Sequence, residues 1–181
     1  MSGQEAQGGT AVGLLDALAP MEAAAVAYLR LWCDGPETRP LVWNDFAVLL
    51  GPAQGRGAVG ALERLCVLCV RHGRRPLMRH QVDCRCLGAD EACFANFVAT
   101  AASGDRDDAL WLASMMVRAE IAPLLVSEAQ QLGLALRRMA LRAKAAEPRP
   151  PSALRPPSRR RSDRTPEPRS ASAPRRTPVH P

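Results

Sequence analysis

Apolar positions along this chain recur every three to four residues and almost never alternate, which is the period of helices packed through one face. After Pro20 the pattern sets Tyr28, Leu31 and Trp32 on one side of a helix that Gly35 ends. Thr38 reads as the N-cap of a second helix with Pro40 in its first turn. Its stripe is Val42, Phe46, Leu49 and Leu50, and Gly51-Pro52 stops it. A third helix spans about residues 53–72, with Val59, Leu62, Cys66 and Cys69 in line and Gly73 closing it. Residues 74–88 are the least regular stretch. Asp90 then reads as the cap of a helix with the stripe Phe94, Phe97, Val98 and Ala101. Ser103-Gly104-Asp105 predicts a tight turn between antiparallel helices, with Asp105 as N-cap and Asp108 at N3 of a helix ending near Arg118. The last helix begins around Pro123, carries Leu125, Ala129, Leu132, Leu136 and Met139 on one face, and gathers Arg137, Arg138, Arg142 and Lys144 at its C-terminal end, where the helix dipole favours cations.

No β-branched alternation and no repeat of 20–50 residues interrupts this series. The expectation is therefore all-α: a compact bundle of five or six helices over residues 14–146. A flexible Gly- and Gln-rich segment, 1–13, precedes it, and a disordered basic tail, 147–181, follows it.

Charge changes the picture only at that tail. The 181-residue chain has a net charge of +6, and residues 147–181 hold nine Arg against three acids together with ten of the 16 Pro. The remainder is neutral, so the basic balance says nothing about the folded part. The tail has no aromatic residue and little apolar area to offset the entropy of ordering. It can attract a polyanion or an anionic surface by counterion release, weakly and without reading sequence. No basic n-region precedes an apolar stretch at the N-terminus, and no run approaches the ~18–20 apolar residues of a membrane span. The expected compartment is the cytoplasm, where the six Cys stay reduced. Lys144 is the sole Lys, an Arg preference that fits a GC-rich genome.

Four motifs bear on chemistry. Gly55, Gly57 and Gly60 form a G-x-G-x-x-G, but the residues before it fit a helix and no strands follow to build a dinucleotide fold, so close helix packing explains the glycines. Cys66, Cys69, His80, Cys84, Cys86 and Cys93 fall within 28 residues and offer ligands for zinc or an iron–sulfur cluster. Against this, Cys66 and Cys69 sit on a mid-helix apolar stripe, where a thiol serves as a small hydrophobe. A redox role for that pair lacks the strand-to-helix context in which a helix dipole activates a thiol. Arg71, Arg74, Arg75, Arg79 and Arg85 make an anion or partner patch; the structural alternative is that they neutralise the acidic segment from Asp90 to Glu120. Finally, the helix pair at Ser103–Asp105 would present Asp105, Asp107 and Asp108 to phosphates, which is electrostatically wrong for a helix-turn-helix, and the pair at Gly51 begins its second helix with glycines.

The segment RHGRRPLMRHQVDCRCLGADEACFANF, Arg71 to Phe97, resembles a stretch of small uncharacterised helical proteins of alphaproteobacteria. The resemblance implies a bacterial cytoplasm and attaches no activity, cofactor or site residue. No nucleophile–base–acid order is recognisable. The expected function is non-catalytic: an interaction or regulatory protein that holds a protein partner through its helical domain, with no cofactor and with the tail contacting a polyanion. A metal-dependent regulator and a nucleic-acid-binding protein are the alternatives.

Overall fold

The computed structural model describes residues 10–146. Within them the chain forms an all-α bundle of six helices: α1 (Pro20–Asp34), α2 (Arg39–Leu50), α3 (Pro52–His72), α4 (Ala89–Ser103), α5 (Arg106–Met116) and α6 (Ala122–Ala146). The residues read above as a disordered tail lie outside the described part. A two-stranded antiparallel sheet, β1 (Ala11–Leu14) with β2 (Cys86–Gly88), is the one sheet among the described residues, and an isolated antiparallel bridge joins Gly73 to Val117. It corrects the reading of residues up to 13 as flexible, because Ala11 pairs with Gly88 and Gly13 with Leu87. A strand of three or four residues is too short to show a period, so the pattern could not reveal it. A single 3-10 turn, Leu15–Ala17, leads from β1 towards α1.

The predicted stripes of α2, α4 and α6 face the core: Val42, Phe46 and Leu50; Phe94, Phe97, Val98 and Ala101; Leu125, Ala129, Leu132, Leu136 and Met139 are buried, and Leu49 of the α2 stripe packs half-buried at its edge. In α1 the face is rotated. Ala25, Val26, Leu29 and Trp32 are buried with Arg30 among them, whereas Tyr28 and Leu31 pack at the margin. Tyr28 stands edge-on to Phe46, ring centroids 4.7 Å apart. Leu87 of β2 fills a smaller core with Val26 and Ala95, which seats the sheet on α1 and α4.

Helix ends follow local chemistry, with two corrections. Asp105 accepts from Asp108 N as an N-cap should, and Gly104 takes the left-handed turn (φ 92°). Thr38 instead turns its hydroxyl backward, donating to Leu31 O (2.5 Å) and Gly35 O (3.0 Å), so it closes α1 rather than capping α2. The N-cap of α4 is Gly88 rather than Asp90, and Glu91 at N3 accepts from Gly88 N (2.8 Å).

Two helix crossings depend on missing side chains. A Cβ on Gly55 would lie 2.9 Å from Phe46 O, and one on Gly133 would lie 2.6 Å from Ala102 Cβ and 2.8 Å from Val98 O. Gly55 thus lets α3 approach α2, and the glycine motif serves packing; the chain ahead of it is helical, with no strand to hold a dinucleotide. Gly57 has open space around it. Gly133→Ala should therefore cost about 1–3 kcal/mol of stability through overpacking, whereas Gly57→Ala should raise stability by about 0.5–1 kcal/mol through helix propensity. Denaturant unfolding of the two variants checks both signs.

Candidate functional site

The irregular residues between α3 and α4 are held by a side chain from α1. Arg30 is wholly buried, and its five N–H groups meet five acceptors. Nε and Nη2 each donate 2.7 Å bonds to the two oxygens of Glu91, Nη1 donates to Gln81 O (3.3 Å) and Cys84 O (2.5 Å), and Nη2 also donates to Cys86 O (2.7 Å). Glu91, equally buried, accepts in addition from Gly88 N (2.8 Å), His80 N (2.8 Å) and His80 Nδ1 (3.0 Å). Burial alone pushes the Glu91 carboxyl up. The Arg30 guanidinium and the N–H groups of Gly88 and His80 outweigh that effect and hold it at about 2. The exit from α3 is fixed at its other side by α5, where Arg74 N donates to Met116 O (3.0 Å) and Arg118 N to His72 O (3.2 Å).

This frame separates the six residues considered as metal ligands. His80 is turned to Glu91; Cys84 Sγ accepts from Cys86 N (3.4 Å); Cys93 faces a groove with Cys69; Cys66 lies beside Cys33. Among the described residues no three donors gather around one point. Cys66 is buried on its stripe as expected of core filling, and Cys69 is half-buried.

Most of the arginine patch is spent on the fold. Arg74 donates to Ser114 O and Val117 O, Arg75 pairs with both oxygens of Asp90, Arg79 donates to Cys33 O (2.6 Å), and Arg85 pairs with Asp16 (2.5 Å). Arg71 is exposed. Neutralisation by the acidic segment is real but local: Asp90 alone of its six acids pairs with this patch, while Glu91 goes to Arg30.

Two adjoining concavities flank the segment 73–79. A pocket of about 500 Å³ lies between α1, α3 and the segment 73–79, lined by Leu29, Cys33, Cys66, Cys69, Leu77 and Arg79 among others. Next to it a groove of about 250 Å³ is lined by Cys69, Pro76, Leu77, Cys93, Met115 and Met116, with Ala89 and the paired Arg75 and Asp90 completing its wall. Above that groove α5 packs inward through Ala109 and Ala113 and turns Trp111 (64% exposed) and Met115 (55%) outward, one helical turn apart. Leu110, Leu112 and Met116 of the same helix pack against the core, so Trp111 and Met115 form an apolar strip left over on its outer side.

Three of these residues escape sequence reasoning. Arg30 and Glu91 look like ordinary surface charges; the available signal was that Arg30 follows Val26 by four positions, on the apolar face of α1. Cys33 lies 33 residues from Cys66, and no local spacing connects them.

Comparison of the chain with protein-family models, with curated proteins and with solved structures found no match in any of the three.

The Glu91 carboxyl titrates lower in the folded chain than its ordinary 4.5, so the native state binds fewer protons than the unfolded one in that window. The resulting stabilisation, about 3 kcal/mol, is present at neutral pH and is lost as pH falls from the ordinary value towards the folded one. Arg30→Met should remove about 3–5 kcal/mol at pH 7 by leaving a buried carboxylate unpaired, and should flatten that acid dependence. Denaturant midpoints measured across the acid range test both statements.

Proposed function

We propose that the chain is a non-catalytic interaction protein of a bacterial cytoplasm whose helical domain binds a protein partner along α5 and the groove beside it. The observation that carries this reading is the pair of outward side chains on α5, Trp111 and Met115, one helical turn apart, with Met115 lining a mostly apolar groove. Exposed aromatic and methionine side chains rimming a groove are the anchors that protein interfaces favour, because they bury much area at small entropic cost. Val70, exposed on α3, lines the adjoining pocket. Such a surface suits a partner that lowers an apolar side chain between Pro76, Cys93 and Met115. Among the described residues no helix is long and apolar enough to cross a membrane. The nine arginines of residues 147–181 add a salt-sensitive attraction to polyanions that is independent of the groove.

A photo-crosslinking residue placed at Met115 in the native host should give one discrete adduct, while the same residue at Val48, exposed on α2, should give none. Trp111→Ala should weaken binding of the captured partner by about 30-fold, the loss of one aromatic anchor. Equal labelling from both positions, or an adduct unaffected by Trp111→Ala, would overturn the reading.

A further inference from the structure

The pocket between α1 and α3, which shares one wall with the groove, holds a second chemistry. Cys33, in the last turn of α1, and Cys66, in the middle of α3, place their sulfurs 4.0 Å apart, with Cys69 lining the same pocket. The two thiols are not equivalent. Cys66 is buried against Cys33, whereas Cys33 is half-exposed on a pocket of about 500 Å³, ample room for a small polar reactant.

The charges around Cys33 are fixed through backbone carbonyls. Arg79 donates to the Cys33 carbonyl at 2.6 Å. Arg39, at the start of α2, donates to the preceding carbonyl, Trp32 O (3.4 Å), with its guanidinium 4.9 Å from the Trp32 ring centre. The C-terminal end of a helix disfavours an anion by a fraction of a charge, and two full positive charges oppose it. We propose that Cys33 is a peroxide-sensitive modification site and that Cys66 resolves its oxidised form into a Cys33–Cys66 disulfide.

The steps balance. The Cys33 thiolate attacks one oxygen of hydrogen peroxide; the S–O bond forms, the O–O bond breaks, and the departing hydroxide takes a proton to leave as water. The sulfur is oxidised by two electrons to a sulfenic acid as the peroxide is reduced. The Cys66 sulfur then attacks Cys33 Sγ, forming the S–S bond; the S–O bond breaks, and the hydroxyl leaves with the Cys66 proton as a second water.

Electrostatics agree with this division of labour. A hydrogen bond from Cys66 and the charges of Arg79 and Arg39, set against burial, hold the Cys33 thiol at about 7. Cys66 is raised by its bond to Cys33 and by burial, and burial pushes Cys69 up to about 12. The groups facing Cys33 are thus Cys66 and Cys69 from α3, Arg39 from α2 and Arg79 from the segment before α4. A thiol half ionised at pH 7 but intrinsically less nucleophilic should alkylate about threefold faster than an ordinary cysteine.

The test uses reduced full-length protein. One equivalent of hydrogen peroxide should remove two hydrogens and link the Cys33 peptide to residues 65–71, which contain both Cys66 and Cys69. Cys69→Ala should keep the link. Cys66→Ala should abolish it and leave a sulfenic acid at Cys33 that a dimedone probe traps. The rate of Cys33 alkylation in the wild type should rise with a midpoint near 7, and Arg79→Gln should move the midpoint upward. The proposal is overturned if wild-type Cys33 stays free while Cys84, Cys86 or Cys93 oxidise, if the link survives Cys66→Ala, or if the alkylation midpoint sits at an ordinary thiol value indifferent to Arg79→Gln. The wild-type mapping and alkylation profile decide the matter even where a variant fails to fold.

Discussion

A guanidinium sealed inside a helical bundle is the constraint around which this molecule is arranged. Arg30 cannot lose its proton, so once α1 is packed its charge must be met within the protein. Glu91 meets the charge, and three loop carbonyls meet the remaining N–H groups. The consequence extends well beyond two residues. An irregular stretch with no helix of its own, residues 74–85, is tied to α1 and to the first turn of α4, and β2 is held where β1 can pair with it. Such a network is less a source of net stability than a specification of one loop conformation, since a slip of one residue would orphan several buried polar groups.

That specification places the chemistry. Because the loop is pinned at Gln81, Cys84 and Cys86, Leu77 and Arg79 stand against α1 and α3, closing a pocket over Cys33 and Cys66. Arg79, read from sequence as part of an anion-binding face, becomes a fixed charge at the end of α1. The same loop forms one wall of the groove under α5, so the thiol pocket and the apolar groove share Cys69, Arg75, Pro76 and Leu77. Both proposed activities therefore depend on one irregular segment, and neither uses the glycine motif that looks most like a site in the sequence.

Legibility followed the range of the interaction. The stripes of α2, α4 and α6 are local periodicities and read true, as did the Gly104–Asp105 turn, whose geometry is set by two adjacent residues. Thr38 and Asp90 stand near the starts of α2 and α4 but bond other partners, because both are drawn back along the chain, Thr38 to Leu31 O and Asp90 to Arg75 and Met78 N. What periodicity cannot carry is a pairing across 61 residues, such as Arg30 with Glu91, or across 33, such as Cys33 with Cys66. The clustering of Cys66 to Cys93 in sequence drew attention to the wrong partners: helix geometry sent Cys66 towards α1, and the pinned loop kept Cys84 and Cys86 apart from it.

Amide hydrogen exchange of the wild-type protein tests the central claim most directly, since His80 N–H and Gly88 N–H lie in or beside the irregular segment and donate to a buried carboxylate. If Arg30 and Glu91 organise this region, both amides should be protected by at least about 10²-fold over free peptide, equivalent to roughly 3 kcal/mol of opening energy. Exchange of both within about tenfold of the free-peptide rate would mean that the loop opens independently of the bundle, and the account would fail.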